Sequence, residues 1–234
     1  MVRNSNYQYY WDFITFTFEQ IYTFTSKKMT RTFKVCIVLI SILFIGCGQK
    51  EESKKSIEAE RHLPNIVPNR YNVAFLIMDG TFNTEFTAPF DIFQHTIYRE
   101  QIKAMNVFTV ANTLDPITTF EGLRILPDFD YTMDKLPQID ILVVPSAEHH
   151  LDSGLKDTTM LNFIKKIDKT ALYITSHCDG AFVLAKTGIL DNVTSTTFPS
   201  DIETYRKKFP NLKVKDSVLF VHDDKYITSA GGAK

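Results

Sequence analysis

The hydrophobic pattern of the chain predicts strands that alternate with helices from residue 71 onward. Nearly continuous apolar runs occupy residues 71–78, 139–145 and 171–176. Such runs are typical of strands buried on both faces of a parallel sheet. Between them, apolar residues recur at helical spacing in 85–105, where Phe86, Phe90, Phe93 and Ile97 share one face, and in 158–169. This alternation predicts an α/β domain, a three-layer sandwich with a mostly parallel sheet and helices on both faces.

Shorter patterns complete the predicted domain. They predict strands in 106–112 and in STTF, a short β segment in 117–128, and a pair of strands in VLFVHD and KYITSA. They also predict helices in 180–188 and 200–209. Gly188 suits the left-handed end of its helix. The chain stops at AGGAK without a final helix. A sheet of this kind is normally covered on both faces, so we expect that a C-terminal helix is missing from this sequence.

Composition excludes several functional classes. The 234 residues are 44% hydrophobic, which is enough apolar surface for a folded core. The formal net charge of -1 leaves no basic excess for binding nucleic-acid phosphates. Neither a phosphate-binding Walker loop nor a dinucleotide glycine motif is present. No nucleic-acid partner and no cofactor are expected.

The pattern at the beginning of the chain predicts a targeting signal rather than part of the folded domain. Residues 35–46 form an uncharged apolar run that is too short to span a bilayer, and Arg31 and Lys34 lie just before it. The run ends in Gly46, and Cys47 follows. This arrangement resembles a bacterial lipoprotein signal, in which the cysteine is lipidated and becomes the new N-terminus. The alternative is a short buried element that happens to end in Gly-Cys.

These features predict four segments. Residues 1–28 are interpreted as an upstream leader, 29–46 as a lipoprotein signal peptide that starts at a second Met, 47–69 as a charged tether, and 70–234 as the folded domain. A lipid on Cys47 would anchor the domain to a membrane of the bacterial cell envelope.

The strongest chemical signal is the turn around Cys178. A buried strand ends, Cys178 follows, and a helix begins two residues later, with the small residues Ser176 and Gly180 on either side. A tight strand-to-helix turn of this kind is a nucleophile elbow, which lifts its side chain above the carboxyl edge of the sheet. The helix N-terminus favours a thiolate, so we expect a lowered pKa. The alternative is an inert buried cysteine.

Three blocks of sequence resemble the DJ-1/PfpI family of the class I glutamine amidotransferase-like superfamily. They are FLIMDGTFNTEFTAPFDIF (75–93), ILVVPSAEHH (141–150) and ITSHCDGAFVLAKTGILDNVTSTTF (174–198). The resemblance covers roughly residues 71–234. It implies the flavodoxin-like sandwich of that family, and a homodimer is one expectation, since many members are dimers.

The resemblance also implies roles for individual residues. Cys178 matches the family nucleophile, and Glu85 matches the acidic residue that hydrogen-bonds the cysteine sulfur and can carry a proton. Ser146 and Ala147 replace the usual glycine pair of the oxyanion turn. Their backbone N–H groups, with that of Asp179, are expected to hold a developing oxyanion.

The sequence departs from the family where bases are usual. Asp179 stands where many members have a histidine after the cysteine, and Phe198 stands where a second histidine is common. His149 and His150 follow a strand and can reach the pocket. His177 is a further candidate for the pocket, although it precedes the cysteine and its side chain is expected to point away from the thiol. Phe198 is also expected in the pocket. No metal site is predicted.

Two kinds of function remain open. The first is a cysteine-dependent enzyme, a hydrolase, hydratase or glyoxalase-like lyase, that acts on a small-molecule substrate. Aldehydes and isonitriles suit it better than peptides, because amide leaving groups need a good general acid. The alternative is a non-catalytic lipoprotein that senses oxidation or binds a ligand. A structural scaffold is the third interpretation.

Overall fold

The structure is a computed structural model that describes residues 63–133 and 135–231. Its strands are β1 (Tyr71–Leu76), β2 (Met105–Ala111), β3 (Ile117–Thr118), β4 (Arg124–Ile125), β5 (Phe129–Asp130), β6 (Ile141–Val144), β7 (Tyr173–His177), β8 (Thr194–Ser195), β9 (Lys213–Val214), β10 (Phe220–Asp223) and β11 (Tyr226–Ser229). Its α-helices are α1 (Asn83–Gln94), α2 (Thr158–Asp168), α3 (Gly180–Thr187) and α4 (Ile202–Lys208). Short 3-10 helices cover His95–Tyr98, Ser153–Lys156 and Pro199–Asp201.

Seven strands form the central sheet in the order β10-β11-β7-β6-β1-β2-β5. All neighbours are parallel except β10 and β11, which form an antiparallel hairpin. The carboxyl ends of β1, β6, β7 and β11 therefore meet at one edge. The residues that follow β1, β6 and β7 include the blocks from which the site was predicted.

The two faces of the sheet bury separate cores. On one face, Leu76 of β1 and Val144 of β6 pack in a cluster that includes Phe182 of α3 and residues of α2. On the other face, Phe75 packs edge-on against Phe86 of α1, with ring centroids 5.7 Å apart. Alternate residues of β1 thus face opposite layers. The predicted sandwich with a mostly parallel sheet is confirmed.

The first helix is shorter than its pattern predicted. Instead of continuing to residue 105, α1 ends at Gln94, and Ile97 is 47% exposed. Thr96 explains the ending, because its hydroxyl donates to the Phe93 carbonyl at 2.7 Å and accepts from the Met105 N–H at 3.1 Å. This side chain ties the end of the helix to the start of β2.

Two residues of the predicted tether, Ile66 and Val67, contact the folded domain. Ile66 packs against the larger core, and Val67 exchanges two hydrogen bonds with the Asn106 side chain, at 3.1 and 3.0 Å. The leader, the signal peptide, Cys47 and most of the tether lie outside the described residues. Within the described part of the chain, no helix has the length and apolar character needed to cross a membrane.

Candidate active site

Cys178 sits in a strained turn between β7 and α3. Its φ is +52°, in the left-handed region that a residue with a side chain rarely adopts. Its N–H donates to the Ser229 carbonyl at 3.0 Å, which holds the turn to β11. A Cβ on Gly180 would lie 2.1 Å from the Val144 carbonyl oxygen, so only glycine fits there. The predicted strand–cysteine–helix turn is therefore present.

Gly231 closes one side of this turn. A Cβ on Gly231 would lie 2.5 Å from the Cys178 Cβ, and the residue has a φ of +67°. The backbone after β11 thus packs directly on the cysteine. Sequence analysis did not assign this glycine to the site, because its contact with Cys178 is a tertiary one.

The Cys178 thiol is half-buried, and its pKa is raised to about 12. Burial is the main cause, followed by the negative charges of Asp179 and Glu85. The Ser146 hydroxyl and the Asp179 backbone N–H act in the opposite direction. The expected lowering of the pKa is therefore wrong, because burial and two carboxylates outweigh the helix N-terminus. The thiol is neutral at physiological pH.

Asp179 brings a carboxyl group, and not only a backbone N–H, to the site. It is 9% exposed, and its Oδ1 accepts a hydrogen bond from the Thr197 hydroxyl at 3.1 Å. Burial and the nearby charge of Asp201 raise its pKa to about 6. This carboxyl therefore changes charge close to neutral pH. Only the backbone N–H of Asp179 was predicted to act, although its carboxyl stands next to the nucleophile in the sequence.

Glu85 lies in the first turn of α1, as predicted from the resemblance. Its charge raises the pKa values of Cys178 and Asp179. Two carboxyl groups, one from α1 and one from the elbow itself, thus act on the same sulfur. The charge of Glu85 therefore reaches the sulfur, and the expected hydrogen bond between Glu85 and Cys178 stays a prediction.

His177 is the last residue of β7 and contacts β11. Its Nδ1 is 3.0 Å from the Ser229 hydroxyl, and burial lowers its pKa, while the charge of Glu85 opposes this shift. The imidazole is therefore neutral at physiological pH. The expectation that it points away from the thiol stays a prediction.

The turn after β6 differs from the expected oxyanion hole. The Ala147 N–H donates to His150 Nδ1 at 3.2 Å, so in this structure it is occupied and does not face a substrate. His150 is fully buried, and its pKa is lowered to about 3 by burial and by the neighbouring His149. Its Nε2 lies 3.4 Å from the Met78 sulfur. His150 is thus a neutral structural group, and its expected place in the pocket is corrected.

His149 is exposed instead of reaching into the site. It lies 3.9 Å from a Glu148 oxygen and 3.6 Å from an Asp152 oxygen. Its expected role in the pocket is corrected, because the ring is exposed and does not line the cavity beside the elbow. Among the described residues, no three His, Cys, Asp or Glu side chains are grouped as metal ligands.

A cavity of about 850 Å³ opens beside the elbow. Thr197, which hydrogen-bonds Asp179, and Gly231, which packs on Cys178, both line it. Phe198 is also in the wall, as expected. The remaining lining residues are Thr196, Pro199, Ser200, Ile202, Glu203, Asp216, Ser217, Val218, Leu219 and Ala230. The cavity is mainly apolar, with two carboxylates at Glu203 and Asp216 that both pair with Arg206.

A sequence profile of the DJ-1/PfpI family matches residues 71–234. The chain is 28% identical to an isonitrile hydratase of Pseudomonas putida over 162 residues, which are 68% of this chain and 64% of that protein. It is 26% identical to the HTH-type transcriptional regulator CdhR of Pseudomonas aeruginosa over 50% of this chain and 33% of the regulator. The match thus spans less than two thirds of either relative.

Solved structures share the fold. Drosophila melanogaster DJ-1beta superposes with a TM-score of 0.59 at 18% identity, over 68% of this chain and 81% of that chain. A THiJ/PfpI family protein of Pseudomonas syringae superposes with a TM-score of 0.57 at 23% identity, over 74% and 70% of the two chains. At these identities the likeness shows the fold alone.

Proposed function

The chain belongs to the DJ-1/PfpI family, and from that premise we propose that it is a cysteine-dependent enzyme that hydrates small isonitriles. The observation that carries the proposal is a neutral Cys178 thiol beside the carboxyl groups of Asp179 and Glu85. The similarity to an isonitrile hydratase supports the choice of substrate class.

The chemistry of an isonitrile suits a neutral thiol. The terminal carbon of R–N≡C must gain both a proton and a nucleophile. A thiol supplies both, and a neighbouring carboxylate can carry the proton from sulfur to carbon. No amide leaving group has to be protonated, so the lack of a histidine at positions 179 and 198 is tolerable.

The proposed reaction has three steps. First, the Cys178 sulfur bonds to the isonitrile carbon and the thiol proton moves to that carbon through Asp179 or Glu85, which yields a thioformimidate, R–N=CH–S–Cys. Next, water adds its oxygen to the same carbon and a proton to nitrogen. Finally, the C–S bond breaks and the hydroxyl proton returns to sulfur, which releases the formamide R–NH–CHO and the free thiol.

The cavity supports an organic substituent on the substrate. Phe198, Ile202 and Leu219 provide apolar wall close to the elbow. Apolar walls with few polar groups are typical of sites for small organic molecules. The group R is therefore proposed to be uncharged and apolar where it contacts these residues.

The test is turnover of cyclohexyl isonitrile by the full chain, with N-cyclohexylformamide measured by mass spectrometry. We expect formamide from the wild type and none above background from Cys178→Ser. Equal rates in the two proteins, or no product from either, would reject the proposal. Small aldehydes and amides assayed in parallel would show whether another electrophilic carbon is the true target.

A non-catalytic ligand-binding protein is the second candidate. The cavity and the similarity to a transcriptional regulator favour it. A raised thiol pKa argues against the redox-sensing version, since oxidation proceeds through the thiolate. Saturable binding of a small molecule without any turnover would favour this candidate over the enzyme.

We also propose that the protein is anchored in the bacterial cell envelope through Cys47. The support is the apolar run 35–46 with its basic flank and the Gly-Cys pair that follows. Incorporation of a fatty-acid probe into the full chain, and its loss in Cys47→Ser, is the expected result. Labelling that persists in Cys47→Ser would reject this part of the proposal.

A further inference from the structure

The Ser146 side chain is buried, but its hydroxyl makes no hydrogen bond that stabilises the fold. It is 1% exposed, and apart from a weak contact with the Cys178 sulfur its Oγ makes no hydrogen bond of normal geometry among the described residues. Keeping a buried hydroxyl unpartnered costs free energy, so such a group calls for an explanation other than stability. A hydroxyl is also larger than the glycine that the family resemblance leads one to expect at this position.

The turn that carries Ser146 is held firmly against the loop after β1. The Phe82 N–H donates to the Ser146 carbonyl at 3.0 Å, and the Glu148 N–H donates to the Gly80 carbonyl at 3.0 Å. Thr81 and Ala147 form an antiparallel bridge between the same segments. The hydroxyl is therefore presented on a rigid support, which is what preorganised catalysis requires.

The hydroxyl also acts on the reacting sulfur. Ser146 and Cys178 each lie two residues beyond the paired Val144 and Ser176 of the neighbouring strands β6 and β7. The contact of the hydroxyl with the sulfur lowers the pKa of the Cys178 thiol, because an O–H donor favours negative charge there. The backbone donor that would ordinarily share this task is not free, because the Ala147 N–H is bonded to His150 Nδ1. Since His150 is fully buried, this contact is shielded from water.

We propose that the Ser146 hydroxyl is a catalytic hydrogen-bond donor that replaces the Ala147 N–H in this chain. It donates to the oxygen on the carbon bonded to Cys178, which gains negative charge when the hydroxyl proton leaves for sulfur and the C–S bond breaks. The inference rests on the proposed function, since it assumes addition of the thiol to an electrophilic carbon. It extends that function by assigning the stabilisation of charge to a side chain at a position where the family resemblance leads one to expect glycine.

The test compares Ser146→Ala with Ser176→Ala in the full chain. Ser176 is a matched control, because its Oγ is also buried and unpartnered, and it lies on β7 beneath the elbow. Hydration of cyclohexyl isonitrile by Ser146→Ala should lose kcat by about 100-fold with little change in KM, since the loss falls on the transition state. Ser176→Ala should keep its kcat.

Thermal unfolding separates this role from a structural one. Removal of an unpartnered buried hydroxyl should leave Tm unchanged or raise it in both variants. If both Tm and kcat fall in Ser146→Ala, the hydroxyl supports the fold. If kcat is unchanged in this variant, the hydroxyl does not act in catalysis. Either result overturns the inference.

A second readout does not depend on isonitrile turnover. Acetaldehyde labelled with ¹³C forms a reversible hemithioacetal with a thiol, and NMR can measure its dissociation constant at Cys178. We expect this constant to rise at least about tenfold in Ser146→Ala and to stay unchanged in Ser176→Ala. If the wild type binds acetaldehyde in this way without hydrating isonitriles, the proposed function fails alone. No adduct at Cys178, or equal affinity in all three proteins, overturns the inference.

Discussion

The buried carboxyl of Asp179 offers the most quantitative test of the site. Asp179→Asn removes the ionisable group but keeps an oxygen that can accept the hydrogen bond from Thr197. It also removes the repulsion between Asp179 and the charges of Asp201 and Glu85. We therefore expect the variant to be more stable and less active than the wild type at neutral pH.

The magnitude follows from the pKa shift. The pKa of Asp179 rises from 3.8 to about 6 on folding, and one unit corresponds to about 1.4 kcal/mol. Ionising Asp179 in the folded protein thus costs roughly 3 kcal/mol at pH 7.5. Because the folded state binds the proton more tightly, stability is lost as the pH rises from 3.8 to about 6 and is constant above. The gain from Asp179→Asn should shrink to about 1 kcal/mol at pH 4.5.

The assay is thermal unfolding of the wild type and Asp179→Asn at both pH values. At pH 7.5 the variant should have a Tm higher by roughly 6 to 12 °C, and at pH 4.5 the difference should be much smaller. Asp191→Asn, which removes an exposed acid after α3, is the control and should change little at either pH. Isonitrile hydration should fall in Asp179→Asn, because an amide cannot accept the thiol proton.

Two outcomes would refute the reasoning about Asp179. A Tm equal to or below that of the wild type at pH 7.5 would mean that its charge is not costly in the folded state. An equal gain at pH 7.5 and pH 4.5 would mean that the effect does not come from ionisation.

Three further predictions test the surroundings of the thiol. Glu85→Gln should increase the alkylation rate of Cys178 at pH 8, because it removes one of the charges that raise the pKa of the thiol. Peptide mass spectrometry measures the alkylated fraction over time, and a slower rate than in the wild type would contradict this prediction. Gly180→Ala should lower Tm by several degrees, because its Cβ would lie 2.1 Å from the Val144 carbonyl, and an unchanged Tm would show that the elbow relaxes. When the rate of each reagent is divided by its rate with the free thiol 2-mercaptoethanol, cationic methanethiosulfonates should modify Cys178 at least about tenfold faster than anionic ones. The preference should be smaller in 1 M salt, which screens the carboxylates. A preference for anionic reagents would exclude a negative electrostatic potential at the site.

The layered architecture could be predicted because it depends on local patterns. The runs that became β1 and β6 are buried on both faces over most of their length, so their composition alone indicates central parallel strands. The same expectation is wrong for β7, which is buried on one face only, since Tyr173 is 39% exposed and Thr175 and His177 are half-buried. Where individual helices and strands begin and end depends on contacts between residues that are distant in the sequence. The end of α1 is set by Thr96 bridging to Met105, and β5 has only two residues, which pair with the end of β2.

The site could be predicted in its position but not in its electrostatics. The elbow at Cys178 follows from one strand, one cysteine and one glycine that are adjacent in the sequence, and Glu85 followed from the family resemblance. The thiol pKa depends on groups from three separate segments, and their sum reversed the expected direction. His150 was misplaced for a similar reason, because its neighbour in sequence is exposed whereas the ring of His150 turns inward to accept from Ala147.

The rate of iodoacetamide alkylation at Cys178 as a function of pH tests the central claim most directly. The account rests on a thiol that burial and two carboxylates keep neutral, with its pKa raised to about 12. The rate should therefore keep rising by about tenfold per pH unit through pH 9 without a plateau. A plateau that begins below pH 8 would show that Cys178 is a thiolate near neutral pH and would contradict the account.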